Sequence, residues 1–130
     1  MFCVICCDVT TINPCPRCGD PTRDRTLVCV VQEPLDVLAI ERAGWYHGRY
    51  HVLHGAITPV EGLGPEQLRI KELLARVAAS RQPGGGPPIA EVILALHGDI
   101  AGRATAMYLW RQLAGVGVAV RQRGHGALGA

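Results

Sequence analysis

Four of the six cysteines fall in two pairs, Cys3-Val4-Ile5-Cys6 and Cys15-Pro16-Arg17-Cys18, with eight residues between the pairs. Two intervening residues let both sulfurs of a pair reach one tetrahedral Zn²⁺ at about 2.3 Å. Four thiolates close the coordination shell and leave no position for a substrate or an activated water. Such a site is structural, and its binding energy folds the segment that carries it. The same spacing also admits a redox or relic pair, or an iron–sulfur centre. Cys7 stands next to Cys6 and could compete with it by a register slip, whereas Cys29 lies in an apolar run and reads as a small buried residue.

The other reactive side chains show less pattern. His47, His51, His54, His97 and His125 have no H-x-x-E or H-E-x-x-H spacing and no evident nucleophile partner, so they read as turn or packing residues. His54-Gly55 is the exception to watch, because it follows a strand-like run, where α/β proteins bind ligands. Arginines gather twice, as Arg17, Arg23 and Arg25 beside the cysteines and as Arg103, Arg121 and Arg123 toward the end. A solvated surface is the ordinary reading of such clusters. If they meet DNA, they do so through phosphates, without sequence preference, since nothing in the chain resembles a base-reading helix.

Composition bounds what these residues can serve. The 130 residues are 48% hydrophobic and 18% charged, enough for one core with a small appendage and too mixed for a disordered polyion. Net charge is +2, but no acid follows Asp99, so the last part of the chain is locally cationic. The start has no signal-peptide pattern, and no stretch approaches the roughly 20 apolar residues of a membrane span. The expected location is cytoplasmic, a reducing compartment in which paired cysteines point to metal before disulfides.

The elements that must position these groups alternate. Residues 1–24 have too few apolar residues for a core of their own. Leu27-Val28-Cys29-Val30-Val31 reads as a strand buried on both faces. Pro34 to Gly44 reads as a helix with proline at its start and glycine at its stop. Tyr50-His51-Val52-Leu53 is a second strand, and Ile70, Leu73, Leu74, Val77 and Ala78 form an amphipathic helical stripe. Residues 82–88 are a proline and glycine loop; Val92-Ile93-Leu94-Ala95-Leu96 follows as a third strand. Ala106, Leu109, Trp110 and Leu113 make another helical stripe, and Val118-Ala119-Val120 a fourth strand. This order predicts an α/β fold, a parallel sheet flanked by helices over residues 25–123, with a tail at 124–130.

The run from the two cysteine pairs through CGDPTRDRTLVCVVQEPLDVLAIERAGWYHGRYHVLHGAITPVEGLGPEQLRIKELLARV resembles the zinc-finger and Toprim portion of the bacterial RecR family, and YHVLHGAITPVEGLGPE is its most specific stretch. The resemblance covers Cys3 to about Val120. It implies a structural zinc held by Cys3, Cys6, Cys15 and Cys18, a Toprim-like sheet, and a non-enzymatic part in DNA recombination and repair. It further implies ring-like homo-oligomers that bind DNA and work with RecO and RecF-like partners to place the recombinase. Members of the family carry a helix-hairpin-helix segment before the cysteine pairs and a further strand, a Walker-B-like segment and a helix at the end. This sequence starts two residues before Cys3 and ends at HGALGA, as expected of a fragment, a truncated copy or a short relative, and the loop at 83–88 reads as an insertion.

Active Toprim enzymes place a glutamate after the first strand and a D-x-D pair after the third, because several carboxylates must hold Mg²⁺ against the phosphate being transferred. Glu33 takes the first place; Asp99 takes the second, but Ala101 stands where its partner acid belongs. Glu33 and Asp99 therefore read as vestigial acids, Glu33 also as a solvated strand end or arginine partner and Asp99 as a helix N-cap. Where the family pattern runs near NPTVEGEATA, this chain gains Arg103, which favours a phosphate over a cation. The remaining readings are a Mg²⁺-dependent Toprim nuclease or primase relative, and an interaction module without DNA binding.

Overall fold

The computed structural model describes residues 1–123; the tail at 124–130, with His125, lies outside the described residues. Its core is a sheet of four strands, β1 (Asp24–Val31), β2 (Gly48–Val52), β3 (Glu91–Leu94) and β4 (Ala119–Gln122), in the order β2-β1-β3-β4. All three pairings are parallel. The crossovers are α1 (Pro34–Ala43), α2 (Ile70–Ser80) and α3 (Ile100–Ala114). This is the parallel α/β sheet that the alternation of apolar runs predicts and the family resemblance implies.

Side chains of a strand alternate between its faces, and β1 divides the core accordingly. Val28 and Val30 point into a cluster with Leu73 and Val77 of α2 and Leu109 and Leu113 of α3. Cys29 and Val31 point the other way, into a cluster with Val37 and Ile40 of α1, Tyr50 and Val52 of β2, and the four paired cysteines. The cysteine segment thus completes one face of the sheet rather than hanging from it.

Several element ends differ from the sequence reading. β1 begins at Asp24, which pairs with Gly48 ahead of an irregularity that restores register at Val28. β3 begins at Glu91 and stops at Leu94, leaving Ala95 and Leu96 buried beyond its end. α3 starts at Ile100, well ahead of its apolar stripe, because Asp99 caps it by accepting from Gly102 N at 2.8 Å. Trp110 is a correction: Ala106, Leu109 and Leu113 are buried on the sheet, whereas Trp110 is 44% exposed. It lies about 100° around the helix from Leu109, which is fully buried.

Candidate functional site

The cysteine segment is built by two tight turns. Cys3 N donates to Asp8 O at 2.8 Å and Cys7 N to Cys3 O at 3.0 Å, while Gly19 N donates to Cys15 O at 2.9 Å. The first turn puts Cys7 in the left-handed region at φ 69°. Cys7 stands outside the cluster of paired cysteines, and Cys6 belongs to it. Val52 N donating to Cys6 O at 2.8 Å and Arg49 Nη2 donating to Cys18 O at 2.5 Å clamp the segment onto β2.

The sulfurs of Cys3, Cys6, Cys15 and Cys18 are buried and lie within 4.8 Å of one another. Cys6 and Cys15 sulfurs are 3.7 Å apart. Sulfurs at about 2.3 Å from a tetrahedral ion sit ~3.8 Å apart, so this donor set fits a metal ion. Burial works against a Cys3 thiolate, but the N–H groups of Cys6, Cys15 and Ile5 outweigh it and hold its pKa at about 6. Cys6 is pushed upward by its contact with the Cys18 sulfur and then by burial; Cys15 is pushed upward chiefly by burial. Four thiolates this close and this dry would need a cation among them, and the four side chains could hold one. Burial depresses the Arg76 guanidinium below the ordinary arginine range, and the sulfurs of Cys18 and Cys6 counter that effect, so the cluster also has a protein cation beside it. Cys29, buried and pushed by burial up to about 12, is inert.

The second site is the carboxyl edge of the sheet, where β1 and β3 run side by side and their connections leave for opposite faces. α/β sheets bind ligands at this kind of switch point. Glu33 follows β1 and Asp99 precedes α3, and both are exposed. Glu33 has no ion pair among the described residues, and its N–H donates to Asp36 Oδ2 at 3.0 Å, which closes the first turn of α1. The Asp36 carboxylate also meets His97 Nε2 at 3.1 Å, and His97 N donates to Gln32 Oε1 at 2.8 Å. Two side chains from the β1 end thus lock the loop after β3. Among the described residues, the paired cysteines are the one group of three or more His, Cys, Asp or Glu side chains close enough to share an ion. Glu33 and Asp99 do not join such a group.

The arginines fare unequally. Arg17 is ion-paired with Asp8, Arg23 grips Glu41 with both of its terminal nitrogens, and Arg121 pairs with Glu91. Arg25 and Arg103 are exposed without an ion pair among the described residues, and the Arg123 guanidinium stacks 3.8 Å over the Trp45 ring. His54 binds Cys7 O through Nε2 at 2.6 Å and meets the Phe2 ring edge-on at 5.0 Å, so its loop holds the cysteine segment. The Asp36–His97 pair, Gln32 and Arg76 were not visible in the sequence; their partners lie far away along the chain, and no local spacing signals them.

A family model for the Toprim domain matches residues 26–122. The chain belongs to the Toprim family. Proteins called recombination protein RecR are similar to it over nearly its whole length. That of Heliobacterium modesticaldum is 47% identical over 126 residues, 97% of this chain and 60% of that protein. Those of Chloroflexus aggregans and Thermobifida fusca are 50% and 47% identical over 96% of this chain, and 58% and 59% of their own lengths. This Toprim chain therefore spans about 60% of the curated relatives it matches, and the RecR resemblance carried by the cysteine pairs and the YHVLHGAITPVEGLGPE stretch is confirmed. No helix among the described residues is long and apolar enough to cross a membrane.

Proposed function

We propose that this chain is a recombination-repair module of RecR type, non-enzymatic and cytoplasmic, which binds DNA and RecO or RecF-like partners as a homo-oligomer in support of recombinase loading. The observation that carries the reading is a four-cysteine clamp packed into a Toprim sheet whose acid pair is incomplete. Ala101 replaces the second acid, and the Asp99 carboxylate is engaged by the α3 backbone. Zinc is the ion proposed for Cys3, Cys6, Cys15 and Cys18, since four thiolates in a closed tetrahedral shell suit it best. The DNA contacts proposed are Arg25, Arg103 and Arg123, with lesser parts for Arg17, Arg23 and Arg121, whose guanidiniums already hold carboxylates.

A second reading, a Mg²⁺-dependent Toprim nuclease or primase relative, rests on Glu33 standing exposed at the end of β1. An interaction module without DNA binding is the third.

The test is fluorescence anisotropy with DNA over a range of salt, on protein of measured metal content. One zinc per chain is expected, and an iron–sulfur chromophore would overturn the zinc assignment. The logarithm of affinity should fall linearly with that of salt. Arg121→Ala with Arg123→Ala should flatten the slope by about 0.7–0.9 per lost phosphate contact. An unchanged slope removes both arginines from the interface, and no affinity for DNA at any salt overturns the DNA-binding reading.

A further inference from the structure

α3 turns two faces outward and inward, and the outward one has no partner among the described residues. Ala106, Leu109 and Leu113 are buried on the sheet, while Arg103, Met107, Trp110 and Arg111 follow the i, i+4, i+7, i+8 spacing of a single exposed stripe. Met107 is 57% and Trp110 44% exposed, a high fraction for a thioether and an indole side by side. They floor an open cavity of about 600 Å³, with Arg103 and Arg111 at its ends and Gln122 of β4 as its side wall. A second cavity of about 340 Å³ adjoins it, sharing Arg103, Ala106 and Gln122 and adding His97 and Arg123. The two make one groove along α3 and β4.

Charge along that groove has one sign. α3 contains no acid. No acid lines either cavity; of the carboxylates beyond them, Asp99 accepts from Gly102 N, Asp36 meets His97 and Glu91 pairs with Arg121. Arg103 and Arg111 are eight positions apart, about 12 Å along the helix axis, with the indole between them. Cations at intervals around an exposed aromatic ring match a strand of nucleotides, whose anions repeat and whose bases all offer a flat face. A protein segment would need several apolar anchors, and the floor here offers one indole and one thioether.

We propose that this face of α3 is a seat for single-stranded DNA, with one base stacked on Trp110 and the flanking phosphates on Arg103 and Arg111. The proposal rests on the DNA-binding reading above and gives it a place and a strandedness. Arg123, at the far end of the groove, extends the phosphate track.

The experiment measures binding of a fluorescein-labelled oligothymidylate by the full chain, its Trp110→Ala, Trp110→Phe and Arg103→Ala/Arg111→Ala variants, each checked by circular dichroism. Trp110→Ala should bind on the order of tenfold more weakly, Trp110→Phe close to the parent, and the double arginine variant more weakly with a shallower salt slope. The double arginine variant changes exposed side chains only, so it decides the matter if Trp110→Ala does not fold. A duplex of the same length should compete less well than the single strand. Parent-like binding by Trp110→Ala and by the arginine variant overturns the seat and leaves DNA binding elsewhere intact. Polyglutamate competing as well as the oligonucleotide overturns it in favour of an acidic protein partner. No DNA binding by the parent overturns both readings.

Discussion

His51 is fully buried between β2 and α2, where its Nε2 lies 2.8 Å from Arg69 O and its Nδ1 3.3 Å from Arg76 Nη1. Arg76 can only donate, so Nδ1 must accept and Nε2 must carry the proton and donate to the carbonyl. Burial, and then the Arg76 charge, depress its pKa to about 4. The ring is neutral in the fold and takes up a proton on unfolding once the pH falls below about 6.5. Its contribution is complete above that pH and is lost as the pH falls toward 4, amounting to as much as about 3 kcal/mol. Urea unfolding at several pH values should therefore show a steeper acid loss for the parent than for His51→Gln. Metal release in acid affects both alike, so equal slopes would contradict the neutral buried ring. At this scale the sequence was legible where chemistry is local. The cysteine spacing sufficed, because both members of each pair sit on one turn. His51 and the Asp36–His97 pair were not legible, because their partners come from other elements.

Among the elements, α3 depends on a close approach at its first turn. A methyl group at Gly102 would stand 2.0 Å from His97 O and 3.0 Å from Gln32 Oε1, the groups that join the ends of β1 and β3. Gly98, in the same loop, has nothing within 4 Å of such a methyl. Gly102→Ala should destabilise by about 1–3 kcal/mol, as overpacking does, while Gly98→Ala stays within about 0.5 kcal/mol. Thermal melts compare the two, and equal melting temperatures would show that the loop yields without cost. β1 and the central strands were evident from their β-branched runs. Their ends were not, because Asp24 and Glu91 are polar residues held in strands by pairing with Gly48 and Ala119. Trp110 was misplaced for a related reason: an apolar stripe tells which residues are greasy, but the sheet decides which of two adjacent ones it covers.

For the whole molecule, the two faces of the sheet have different tasks. One is closed by α1 and the cysteine clamp, whose charge Arg76 offsets; the other is closed by α2 and α3. The carboxyl edge between them keeps Glu33 and Asp99 without the second acid of a cation-binding pair. The proposed function separates binding from chemistry: the proposal is a Toprim sheet that holds DNA through arginines and does not cut it. One gel tests that separation, in which supercoiled plasmid is titrated with the protein in Mg²⁺ or Mn²⁺. Retardation should come without nicking, and deproteinised plasmid should return fully supercoiled. Nicked or linear products from the parent, absent with Glu33→Gln, would contradict it and make this Toprim site an active one.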